Sequence, residues 1–149
     1  MKSKARVLGA VAGLLASLSL GSAVVAADRA YSEGPVVDVA SVRTEPGMFD
    51  EYLKYLAGPY KQQMEELKKA GIIVDYSVYS ANPRGPHDPD LYLITVYKNF
   101  AALDGLDARS DAITEKIFGD MAAQTDATVK RGKLRTLLGN EYIRELVLK

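Results

Sequence analysis

No cysteine and no tryptophan occur in this chain of 149 residues, and histidine occurs once. The missing cysteine excludes disulfides, thiol nucleophiles, thiolate metal sites and a lipid anchor on an N-terminal cysteine. One histidine is too few for a metal held by several imidazoles of one chain, so no metal site and no cofactor are predicted. A haem held by a single axial histidine stays compatible with the composition. There is no GxGxxG, no P-loop and no Ser-His-Asp set at a supporting spacing, so nucleotide binding has no basis here. Lys plus Arg equals Asp plus Glu at 19 each, and nothing in that balance would draw the chain to nucleic acid.

The longest apolar run lies at the start. Lys2, Lys4 and Arg6 precede VLGAVAGLLASLSL, and Val25-Ala26-Ala27 then stands before Asp28. A basic opening, a short apolar core and a small-residue cleavage site are the layout of a secretory signal peptide. The apolar core is shorter than the ~20 residues that cross a bilayer. Residues 1–27 are therefore expected to be removed, leaving no stable membrane anchor and a periplasmic or secreted protein. The remainder carries a net charge of about −3 and is long enough for one domain with a real core.

That domain is organised around DLYLITVYKNFAALDGLD, residues 90–107. Leu91, Leu93, Thr95 and Tyr97 alternate with Tyr92, Ile94 and Val96, so both faces of this strand are largely apolar and both ask for cover. Asn99 is placed to cap the helix that follows. Upstream, residues 28–35 read as a flexible polar leader, and VVDVASVRT (36–44) as a β-branched strand ending in a Pro-Gly turn. Residues 48–70 carry one apolar stripe, through Tyr52, Leu56, Tyr60, Met64 and Leu67, interrupted at Gly58-Pro59 where a kink is expected. IIVDYSVYS (72–80) is a second strand, joined to the third by the proline-rich NPRGPHDP (82–89). Residues 101–138 read as helix in pieces, weakened at Gly105, Gly119 and Gly132, with Leu103, Leu106, Ile113, Ile117 and Met121 facing inward. YIRELVLK (142–149) is the last strand.

The order strand, helix, strand, strand, helix, strand is the ferredoxin-like βαββαβ arrangement, in the α+β class. It predicts a four-stranded antiparallel sheet over residues 36–149, with the first and third strands in the middle and taken as parallel to each other, two helices on one face and the other face bare. A second copy of the chain is the simplest cover for that face, so a homodimer is expected.

Two stretches, VRTEPGMFDEYLKYL (42–56) and YKNFAALD (97–104), resemble the dimeric α/β-barrel superfamily, as does the element order of the whole domain. It also resembles a group of uncharacterised exported bacterial proteins of similar length. The resemblance implies sheets paired face to face and a pocket between each sheet and its helices. It spans quinol-type monooxygenases, haem-degrading and haem-peroxidase-like members, lactone isomerases and members without known activity. It carries no catalytic set onto this chain residue by residue.

The residues themselves offer a short roster. Asp38 and Asp75 interrupt apolar strands, where a desolvated carboxylate can act as general base. Against this, Asp38 is able to pair across the sheet with Arg144, and Asp75 to serve as an edge charge that blocks aggregation. His87 stands beside Asp88 and Asp90 in a loop, either as an acid/base group or as a solvated turn. The nine tyrosines against three phenylalanines give hydroxyls for a ligand, with Tyr60, Tyr79 and Tyr97 as binding candidates, unless they serve only as core and interface. Arg43, ending the first strand, is a candidate for an anionic ligand. Lys130, Arg131, Lys133 and Arg135 form a basic cluster read as a solvated helical face. Three functions fit: a binder of a small aromatic or hydrophobic ligand; a cofactor-independent monooxygenase or isomerase acting on an aromatic or quinone-like substrate; and an interaction dimer without a ligand.

Overall fold

The computed structural model describes residues 29–149. The predicted signal peptide falls outside them, together with Asp28. Four strands form one sheet in the order β2-β3-β1-β4, with β1 at Tyr31–Thr44, β2 at Asp75–Ser80, β3 at Leu91–Tyr97 and β4 at Arg135–Leu148. Between β1 and β2 run α1 (Phe49–Tyr55), a π-helical segment (Leu56–Tyr60) and α2 (Lys61–Lys69). Between β3 and β4 run a 3₁₀ turn (Phe100–Leu103), α3 (Leu106–Phe118) and α4 (Met121–Gly132). This is the ferredoxin-like order.

Every neighbouring pair in the sheet is antiparallel. The expected parallel run of β1 and β3 is therefore corrected. The hairpin joining β2 to β3 reverses the chain, so β1 runs parallel to β2 with β3 inserted between them. The expected leader is also corrected. Tyr31, Ser32 and Glu33 pair with Leu148, Val147 and Leu146, and a register shift follows before Val36. Gly34 and Pro35, read from composition as loop, occupy that irregularity, where a missing donor and a missing side chain are tolerated. A third correction concerns β4, which begins at Arg135 rather than Tyr142. Gly139 and Asn140 do not end a helix; they pair with Ser41 and Ala40.

The helices break where the sequence is weakest. Gly58 has φ −99° and ψ −109°, and Pro59 follows it, so the stripe restarts after a π-helical turn. The chain leaves α2 through Gly71, at φ +69°, with the amides of Gly71 and Ile72 bonded back to Lys68 and Leu67 at 3.0 Å each. That paired pattern closes the helix and needs the left-handed conformation glycine takes without strain. Asn99 accepts from the Ala102 amide at 3.0 Å, as its cap role predicts.

The core has two parts. Val42, Tyr52, Leu56 and Leu91 form one cluster under α1. Val36, Met64, Leu67, Ile72, Ile73 and Tyr97 form the other under α2. Tyr60, from the π-helical segment, packs against both. Leu103, Leu106 and Ile113 add to the second cluster, whereas Met121, expected inside, is 76% exposed at the first position of α4. Because strand side chains alternate, the helix-facing side of β1 carries Val36, Asp38, Ala40 and Val42. The opposite side carries Val37 and Val39, beside Val96 and Ile94 of β3. Among the described residues no helix covers this second face.

Candidate functional site

Register places a polar row in the middle of the helix-facing surface. Asp38 stands between Thr95 of β3 and Tyr142 of β4. Tyr97 and Arg144 flank Val36 on one side of this row, and Leu93 and Asn140 flank Ala40 on the other. Asp38 does not pair with Arg144: the true register sets them two residues apart. Arg144 instead bonds Glu33 and lies 4.6 Å from the centroid of the Phe100 ring.

Burial pushes the Asp38 carboxyl above its ordinary 3.8, and a hydrogen bond with the Asn140 side chain opposes the rise. Its Oδ1 atom is out of solvent and has no hydrogen-bond partner. The Tyr60 hydroxyl is in the same condition. Burial raises the Tyr60 pKa, and the charges of Tyr52, Tyr76, Tyr55 and Asp38 add to it. Burial likewise pushes Tyr97 up to about 12, with Asp38 contributing next. Tyr142 is raised by burial and by Asp38. One carboxylate is thus felt by three phenols, from β3, β4 and the π-helical segment. A carboxylate accepts and a phenol donates, so Asp38 Oδ1 and Tyr60 Oη leave opposite hydrogen-bonding capacities unmet.

The desolvated charge has a stability consequence. The native state holds the Asp38 proton more tightly than the unfolded chain does. Asp38 therefore stabilises the fold below pH 3.8 and withdraws that contribution as pH rises through the shifted value. Asp38→Asn is expected to raise the melting temperature at pH 7, and the gain should vanish under acid conditions. Thermal melts across pH would show it; an equal gain at all pH values would mean the carboxyl is not desolvated in the native state.

The other predicted residues separate into two groups. Arg43 and His87 line one open cavity of about 610 Å³ at the far end of β1, with Thr44, Glu45, Asp90 and Thr136 among its walls. The carboxylates expected to help His87 are already engaged. Asp90 accepts from the Thr44 amide at 3.0 Å and from its hydroxyl, and Asp88 accepts from the Arg84 amide at 3.0 Å. Arg43 donates to the Asp88 carbonyl at 2.9 Å. These bonds fasten the proline-rich loop to β1, which is a structural task. Asp75 is exposed and bonds Lys68 at 2.8 Å, which holds its pKa below the ordinary range. It fits the edge-charge reading and not that of a buried base. Tyr79 is 58% exposed on the bare sheet face, away from Asp38. Asn140 and Tyr142 are new to the site. Their signal was the alternation of residues 140, 142 and 144 along β4, legible once β4 is seen to begin at Arg135.

Of the basic cluster, Arg131 and Arg135 turn toward the helices and core. Arg131 donates to the Tyr55 hydroxyl at 2.7 Å and lies 5.6 Å from its ring centroid. Arg135 bonds the Tyr52 side chain, whose pKa is raised by burial and lowered by both arginines. Lys130 and Lys133 are exposed, as a solvated face requires. Among the described residues no group of three or more His, Cys, Asp or Glu side chains is arranged to hold a metal, and no helix is long and apolar enough to cross a membrane.

No protein-family model matches this chain, and no curated protein matches it. Among solved structures, a protein from Shewanella oneidensis aligns over 78% of this chain and 96% of its own length, at 14% identity and a TM-score of 0.50. A NIPSNAP-family protein with unknown function from Agrobacterium tumefaciens aligns over 78% and 90%, at 17% identity and a TM-score of 0.48. A dimeric ferredoxin-like protein from an uncultured marine organism aligns over 79% and 90%, at 11% identity and a TM-score of 0.48. At such identities the likeness concerns fold alone: the chain has the ferredoxin-like fold.

Proposed function

We propose that this protein is an exported homodimer that binds a small aromatic ligand between its sheet and helices, through a ligand hydroxyl held by Asp38 and Tyr60. The observation that carries the reading is the pair of buried, unpartnered atoms, Asp38 Oδ1 and Tyr60 Oη, within one electrostatic neighbourhood. Leaving such groups unpaired costs ~1–3 kcal/mol each, and a phenolic or enolic hydroxyl relieves both at once. Dimerisation is supported by the apolar bare face of Val37, Val39, Ile94 and Val96. Export is supported by the signal-peptide layout of residues 1–27.

Native mass spectrometry of protein purified from the periplasm tests the reading. The expected spectrum is a dimer carrying a reproducible extra mass, with Asp38→Asn remaining dimeric but losing that mass. A ligand retained by Asp38→Asn would place binding elsewhere, and a monomer would end the dimer.

A second reading follows from the raised Asp38 pKa. A general base poised above the ordinary carboxylate range withdraws a proton from a bound hydroxyl or activated carbon, the step shared by cofactor-independent monooxygenases and isomerases. Turnover of an aromatic or quinone-like substrate that is abolished by Asp38→Asn while binding survives would favour this reading over plain binding.

A further inference from the structure

Helices α2, α3 and α4 leave a recess between them. Its volume is about 240 Å³, and its walls include Gln63 of α2, Thr114 and Phe118 of α3, and Gln124, Thr128 and Arg131 of α4. All of these except Thr128 are half-buried. No carboxylate lines the recess, and Arg131 is the one charged residue in its wall. Neither Asp38 nor Tyr60 lines it, so it is separate from the site proposed above.

Arg131 is held at both ends of its guanidinium. Nη1 donates to the Tyr55 hydroxyl at 2.7 Å, and Nη2 donates to Thr128 Oγ1 at 3.2 Å. Among the described residues no carboxylate lies within ion-pair distance of it. The Nε atom is out of solvent and has no hydrogen-bond partner. Nε and Nη2 share one edge of the planar group, the kind of edge that takes a carboxylate through two parallel bonds. Thr128 belongs to the wall, so its bond with Nη2 sets this edge at the recess. A half-buried guanidinium without a counter-charge carries a desolvation penalty, which an anion offsets.

The rest of the wall adds donors. Thr114 Oγ1 accepts from Gln63 Nε2 at 3.1 Å, which leaves the Thr114 proton free to donate. Gln124 Nε2 donates one proton to the Gly119 carbonyl at 2.8 Å and keeps the other. Phe118 supplies an apolar side. The recess runs along the flank of α4, from Gln124 in the first turn to Arg131 in the last, so the helix dipole favours neither sign of charge there. One positive charge, neutral donors and an apolar side match a monoanion with a short chain. A phosphate, close to doubly charged at neutral pH, would meet a single cation. We infer that this recess binds a short-chain monocarboxylate, its carboxylate held by Arg131 with Thr114 and Gln124 as further donors, and its chain against Phe118.

The test titrates butyrate and butyramide into the purified protein. It follows the Nε–H resonance of Arg131 in nitrogen–proton correlation spectra, assigned by through-bond correlation to its own side chain. The two compounds share size and chain and differ in charge. Butyrate should move the resonance downfield in a saturable way and bind at least about tenfold more tightly than butyramide, the scale of a charge-assisted bond over a neutral one. Sodium chloride at equal ionic strength should leave the resonance in place. Thr114→Val, close in shape and away from the bonds of Arg131, should weaken butyrate about threefold or more. A shift that chloride reproduces, or butyramide that binds as tightly, overturns the carboxylate site. Full affinity in Thr114→Val moves the anion out of the recess and overturns the inference, as does a resonance that butyrate does not move. Inorganic phosphate that displaces butyrate at equal or lower concentration overturns the choice of a monocarboxylate.

Discussion

Tyr97→Ala is expected to lower the unfolding free energy by about 3–5 kcal/mol, the range for deleting a buried aromatic ring. Lys61→Ala should change it by no more than about 0.5 kcal/mol, as surface substitutions do. Tyr97 is 6% exposed and belongs to the cluster of Val36, Met64, Leu67, Ile72 and Ile73. It ends the central strand β3 directly opposite Val36, which is fully buried. Removing its ring therefore opens a cavity bounded by two strands and α2, elements too constrained to collapse into it. Lys61 opens α2 on an exposed position. Urea denaturation would read the difference as a shift in midpoint at constant slope. Tyr97→Phe separates packing from chemistry, because it keeps the ring and loses the hydroxyl, and it should recover most of the loss. Equal midpoints for Tyr97→Ala and Lys61→Ala would remove the case for β3 as the centre of the core.

Ile94→Lys should weaken self-association by about thirtyfold or more, the scale of an interface hot spot. Ile94 lies at the middle of β3 with Val39 as its partner on β1 and Ser77 on β2. The bare face around it carries Val37, Val39 and Val96, with Ile143 at 49% and Tyr79 at 58% exposure toward its margins. A lysine in that patch would set an ammonium among Val37, Val39 and Val96, and a second copy covering the face would have to desolvate it. The monomer should fold as before, since the side chain points away from both core clusters. Sedimentation velocity over a concentration series would measure the change. A variant that remains as dimeric as the parent would move the interface to another surface, with the exposed edge of β4 the next to examine.

Much of the architecture was legible in the sequence because it is written in local chemistry. The two-sided β3, the cap at Asn99, the stripe broken at Gly58-Pro59 and the helical pieces parted at Gly105 and Gly119 each depend on residues near one another. The errors have a shared cause. Arg135 to Leu138 continue the basic and apolar character of the preceding helix, and only pairing with β1 turns them into strand. Tyr31 to Glu33 are polar and look like a leader, yet backbone hydrogen bonds to residues 146–148 recruit them. Strand direction was misjudged for β1 and β3 because it follows from the hairpin and not from either strand alone.

The site shows the same division. Asp38, Tyr60 and Tyr97 could be picked out by residue type, since a carboxylate in a valine-rich strand and an excess of tyrosine are both unusual. Asn140 and Tyr142 could not, because their place beside Asp38 depends on a register that passes through two irregularities of the β1–β4 ladder. Arg131 and Arg135 were hidden inside a basic run whose other members do face solvent.

Tyr60 holds a position whose importance is thermodynamic as much as chemical. It is the side chain that both halves of the interior share, since α1 serves one cluster, α2 the other, and the π-helical turn between them presents Tyr60 to each. Cooperative unfolding of the two halves therefore passes in part through a residue whose hydroxyl the protein leaves unbonded. A partner that bonds that hydroxyl is therefore expected to slow amide exchange in both halves at once.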